Sequence, residues 1–86
     1  MAQVIYANGA IEDLARLEEF SGGVVDLIVE AVEMLASHPL LGRDVGELRE
    51  LVVSRGRTGY VALYHFDEVA DVVFVLALRH QRELRY

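Results

Sequence analysis

The apolar positions of this chain follow two different rhythms, and the change falls near its middle. Residues 3–7 alternate, with Val4 and Tyr6 against Ile5, and predict a short strand. Asn8 then stands as an N-cap for a helix over 9–20, in which Ile11, Leu14, Leu17 and Phe20, with Ala15, form a stripe at helical spacing. Ser21-Gly22-Gly23 interrupts the stripe. A second helix is expected from Val24 to Ser37, with Val24, Leu27, Ile28, Ala31, Val32 and Leu35 inward, and the chain leaves it at His38-Pro39. So short a connection predicts an antiparallel helical hairpin.

After a loop from Leu40 to Gly46 the period becomes two. Glu47–Arg55, Tyr60–Phe66 and Asp71–Arg79 read as strands, joined by turns at Arg57-Thr58-Gly59 and Asp67-Glu68-Val69-Ala70. The expected fold class is α+β: a short N-terminal strand, a helical hairpin and a three-stranded antiparallel meander, in the order β-α-α-β-β-β. The 86 residues fit one domain, 1–86, with no repeat or linker.

The last strand is apolar on both faces. Val72, Phe74, Leu76 and Leu78 alternate with Val73, Val75 and Ala77, and the middle strand is nearly the same, with Val61 and Leu63 opposite Tyr60, Ala62 and Tyr64. Two helices cover only one face of a sheet, so the second face is expected to meet a partner. Val61, Leu63, Phe74, Val75 and Arg79 are the candidate contacts. Which of them face outward depends on which side the helices take.

Composition narrows the function classes. The chain has no Cys, which removes disulfides, thiolate metal ligands and a cysteine nucleophile. Its apolar share of 53% excludes intrinsic disorder. No apolar run is long enough to span a bilayer, and the start lacks the basic region and long apolar core of a signal peptide; the expectation is a cytoplasmic protein with no membrane partner. The net charge of −6 argues against tight, unaided nucleic-acid binding. Every basic residue is Arg, and seven of the eight lie in residues 42–86.

His38, His65 and His80 have no metal-ligand spacing, and no glycine-rich phosphate loop is present, so neither a metal nor another cofactor is expected. The chemistry-bearing cluster is Arg79-His80-Gln81-Arg82-Glu83-Leu84-Arg85-Tyr86. His80 is suited to proton transfer, Arg79 and Arg82 to phosphate charge, Tyr86 to stacking, and Arg49 to joining them across the sheet. The same residues also fit a structural role, in which the arginines pair with Glu47, Glu50 and Glu83.

Gly42-Arg43-Asp44-Val45, Leu48-Arg49-Glu50-Leu51, Gly59-Tyr60-Val61-Ala62-Leu63-Tyr64 and Leu76-Ala77-Leu78-Arg79-His80-Gln81-Arg82-Glu83, with Tyr86, resemble the RelE/ParE family of toxins from bacterial type II toxin–antitoxin systems. The resemblance implies the fold derived above. It also implies a cognate antitoxin as partner, in a toxin–antitoxin hetero-oligomer, with a homodimer as another assembly. Two activities divide the family. ParE-like members bind and inhibit DNA gyrase. RelE-like members enter the ribosome and cleave mRNA without metal, and for them the resemblance implies catalytic roles at His80, Arg79, Arg82, Arg49 and Tyr86. Val61 stands where cleaving relatives often carry Arg, and the chain is acidic where they are basic; both features favour the ParE-like reading. An endoribonuclease, or an inactive toxin fold that keeps antitoxin binding, are the alternatives.

Overall fold

The computed structural model describes residues 1–20, 23–54 and 59–81. Strand β1 (Gln3–Tyr6) leads into helix α1 (Asn8–Phe20) and helix α2 (Val24–Glu33), which ends in a single 3-10 turn, Met34–Ala36. Strands β2 (Arg43–Asp44), β3 (Arg49–Ser54), β4 (Tyr60–Asp67) and β5 (Val72–His80) follow. The five strands form one sheet in the order β1-β5-β4-β3-β2.

β3, β4 and β5 are the expected antiparallel meander. β1 crosses the helical hairpin to pair with β5 in parallel, Val4 beside Val73 and Tyr6 beside Val75. The stretch read as loop contains the two-residue strand β2, whose Arg43 and Asp44 lie against Glu50 and Arg49. The second helix is shorter than expected, because its last turn tightens into 3-10 geometry before Pro39. α1 begins at Asn8 rather than after it. Ala7 takes the capping position: its carbonyl accepts from the Ile11 N–H (3.0 Å), while its own N–H still donates to Val75 of β5 (2.9 Å).

The helix stripes are rotated from the expected ones. α1 turns Ala10, Asp13 and Leu17 inward and leaves Ile11 about half exposed. α2 buries Ile28 and Val32, with Leu35 in the following turn, and leaves Leu27 outside. These side chains close a core with Leu51, Tyr60, Ala62, Tyr64, Val73, Val75 and Leu78 from one face of the sheet.

One irregularity sets the faces of β5. Tyr64 pairs with Val75 and Leu63 with Ala77, so Leu76 is an extra residue, a β-bulge. The bulge resets the alternation and allows Val73, Val75 and Leu78 all to enter the core. Strict alternation along the sequence would set Leu78 opposite to Val73 and Val75.

Candidate partner-binding site

Cross-strand partners share a sheet face, so the register sorts the candidate residues. Phe74 lies beside His65, Leu63 beside Ala77, and Val61 beside Arg79. These belong to the outer face, away from the helices. Phe74 and Leu63 are half-buried and Leu76 is exposed. Val61 is a correction to the candidate contacts: the register puts it on the outer face, outside the core cluster, yet it is only 2% exposed and offers no open contact surface. Val75 is a correction: it has no exposed area and lies under the helices, so it is core and not a contact surface.

At the far end of β5 the chain uses a buried acid that the sequence did not single out. β1 stops opposite Val75, which leaves the edge of β5 open from Leu76 onward. α1 runs past that edge, so close that a Cβ on Gly9 would stand 3.4 Å from the Leu76 carbonyl oxygen. Asp13 of α1 fills the gap. Its carboxylate accepts from the Leu78 N–H (2.9 Å), forms an ion pair with Arg79, and stands 3.3 Å from Arg16 Nη1. A buried carboxylate is tolerable only with such partners. A sequence signal did exist: Asp13 occupies a stripe position, three residues after Ala10 and four before Leu17.

Arg79 is therefore held by Asp13. His80 lies opposite Tyr60, and the two rings meet edge to face with centroids 5.2 Å apart. The Gln81 N–H donates to the Gly59 carbonyl (2.8 Å) and keeps the β5 exit against β4. Arg82 and Tyr86 lie outside the described residues.

Arg49 is not brought to this group. It pairs with Tyr64 while His80 pairs with Tyr60, four residues along β4, which is roughly 13 Å of strand. Its guanidinium instead donates to the Gly42 carbonyl (2.7 Å), beside a second clamp. There the Tyr64 hydroxyl donates to the Pro39 carbonyl (2.8 Å) and accepts from the Gly42 N–H (2.9 Å). A Cβ on Gly42 would come within 2.7 Å of the Tyr64 ring, so only glycine fits. Burial raises the Tyr64 pKa above the ordinary tyrosine value; the Gly42 amide and the Arg49 guanidinium oppose that rise without cancelling it.

An α1–α2 hairpin on one face of a five-stranded sheet, with the other face apolar, defines a toxin fold seen in solved structures. The toxin–antitoxin complex RelBE2 of Mycobacterium tuberculosis matches with TM-score 0.71 at 24% identity, over 93% of this chain and 98% of that one. The intact RelBE complex of E. coli matches with TM-score 0.73 at 14% identity, over 93% and 96%. A mutant of the E. coli toxin RelE in the free state matches with TM-score 0.77 at 16% identity, over 98% and 88%. At these identities the likeness concerns the fold. No curated protein matches the sequence. The family model described as "ParE toxin of type II toxin-antitoxin system, parDE" matches residues 4–85, and the chain belongs to that family. It is a toxin of a type II toxin–antitoxin system. Among the described residues no helix is long and apolar enough to cross a membrane.

Proposed function

We propose that this toxin arrests growth by binding DNA gyrase, and that a cognate antitoxin neutralises it by covering the outer face of the sheet. The observation that supports the choice of target is that, among the described candidate nuclease groups, Arg49 is held apart from Arg79 and His80. Arg49 is committed to backbone carbonyls beside the middle of β4, opposite Tyr64, and Arg79 to Asp13 near the Tyr60 end. On this reading Arg49 and Arg79 are structural or contact groups, and His80 supports Tyr60. Metal-free RNA cleavage needs an acid, a base and cations around one phosphate. The antitoxin reading is supported by the half-buried apolar positions Leu63 and Phe74, and by the two complexes whose toxin subunits share this fold.

Inducible expression without antitoxin, with pulse labelling of DNA and protein synthesis, tests the target. Early arrest of DNA synthesis with continuing translation is expected, and His80→Ala should leave it intact. Early arrest of translation, abolished by His80→Ala, would instead establish the RelE-like endoribonuclease. Unimpaired growth would identify an inactive fold.

A further inference from the structure

Beside the outer face, where β2 and the β4–β5 turn come together, lies a recess of about 410 Å³. Four carboxylates stand around it: Asp44, Glu47, Asp67 and Glu68. Its walls also include Arg49, the ring edges of Tyr64 and Phe66 from the inner face, and the apolar side chains of Leu48 and Val69, of which Val69 is 99% exposed. Through Glu47, Leu48 and His65 the recess continues into a groove of about 670 Å³ that reaches Phe74 and Leu76. The groove is thus apolar along the sheet and acidic at one end.

The four carboxylates outnumber the one arginine in the walls, Arg49, whose guanidinium is turned to backbone carbonyls. Asp44 accepts from the Gly46 N–H (2.9 Å) and Asp67 from the Ala70 N–H (3.0 Å), which leaves one oxygen of each for other partners. Among the described residues none of the four carboxylates is in an ion pair. The two nearby arginines are committed elsewhere, Arg49 to the Gly42 carbonyl and Arg43 to Glu50. Nor do the acids converge on a point: among the described residues no three acidic or histidine side chains form a metal site. Negative charge spread along an apolar groove suits a long cation, whose methylene stem lies on apolar surface while its head meets the carboxylates.

We infer that the antitoxin segment seated on this face is apolar where it crosses Phe74 and Leu76, and carries an arginine or lysine that enters the rim of Asp44, Glu47, Asp67 and Glu68. The inference rests on the reading that an antitoxin covers the outer face, and it adds the chemistry of the segment. It gives the uncompensated acids a partner, in a chain whose net charge of −6 leaves them unbalanced.

The test uses the full chain and its cognate antitoxin, with binding measured calorimetrically at low and high salt. The variants are Glu47→Gln/Glu68→Gln, which preserves shape, and Phe74→Asp, with folding checked by circular dichroism. The double variant is expected to lose roughly tenfold in affinity and most of the salt dependence. Phe74→Asp is expected to lose more. If the double variant binds as tightly as the parent while Phe74→Asp does not, the basic anchor is refuted and the outer-face reading stands. The anchor is refuted equally if the double variant loses affinity with unchanged salt dependence. If neither variant loses affinity, the outer-face reading fails and the inference with it.

Discussion

Both faces of the β4–β5 pair carry large apolar side chains, and these have different fates. On the inner face Val73, Val75, Leu78, Ala62 and Tyr64 are fully buried beneath α1 and α2. On the outer face Phe74 and Leu63 are only half-buried and Leu76 is exposed. Hydrophobicity does not separate them, since valine, leucine and aromatic residues occur on both. What separates them is that the helices among the described residues form one layer. Polar groups follow the same division: Asp13 and Tyr64 are tied into the structure on the helix side, whereas the acids beside the outer groove are not ion-paired among the described residues. A surface that the fold leaves both apolar and charged is better explained by binding than by stability.

Adjacent residues of β5 give the sharpest way to break this comparison. Val75→Asp places a charge in the closed core and is expected to cost about 4 kcal/mol or more, enough to abolish the folded circular dichroism spectrum. Phe74→Asp, one residue away, is expected to cost about 1 kcal/mol and to keep the spectrum while antitoxin binding is lost. If both unfold the chain alike, the division between the faces is wrong.

Asp13→Ala comes next. It leaves the buried Leu78 N–H without an acceptor and removes the carboxylate that meets Arg79 and Arg16. A loss of about 3 kcal/mol in urea unfolding is expected. A loss below about 0.5 kcal/mol would mean that the β5 edge does not depend on α1.

Two tyrosines refine the inner face. Tyr64→Phe removes a donor to Pro39 and an acceptor for Gly42, at an expected cost of about 2 kcal/mol. Tyr6 lies on the same face, but among the described residues its buried hydroxyl has no hydrogen-bond partner. Tyr6→Phe is therefore expected to be neutral or to stabilise by up to about 1 kcal/mol. Thermal melts of the two variants should move in different directions.

Both hydroxyls hold their protons more tightly in the folded chain: burial raises each pKa, Tyr6 also by the nearby Glu33 charge and Tyr64 against the opposing pull of Gly42 and Arg49. A raised folded-state value gives stability that is complete below the ordinary tyrosine pKa and is lost as pH climbs through the folded one. The parent should weaken above about pH 10, and the double Phe variant should lose less stability over that range. Equal alkaline losses would remove both tyrosines from the account.

Much of the architecture was legible from periodicity. The change from helical to alternating spacing located both helices and the three long strands to within a few residues. The two apolar faces of β5 were also plain from the run Val72–Leu78. The site was less legible. Arg79 and His80 are neighbours in sequence, but Arg49 could be placed relative to them only through the register of β3 and β5 on β4. Asp13 looked like one of seven acidic residues in the first half of the chain.

Sequence alone determined the two helices and the long strands, and that more apolar surface exists than one helical layer can cover. Both are local properties of spacing and composition, summed along the chain. The tertiary structure decided which surface remains. The Leu76 bulge reassigned the faces of β5, parallel pairing with β1 stopped at Val75, and the open edge beyond it drew in Asp13 from α1. These depend on which backbone groups find partners at a sequence separation of 65, and hydrogen-bond satisfaction over that separation leaves no periodic trace in the sequence.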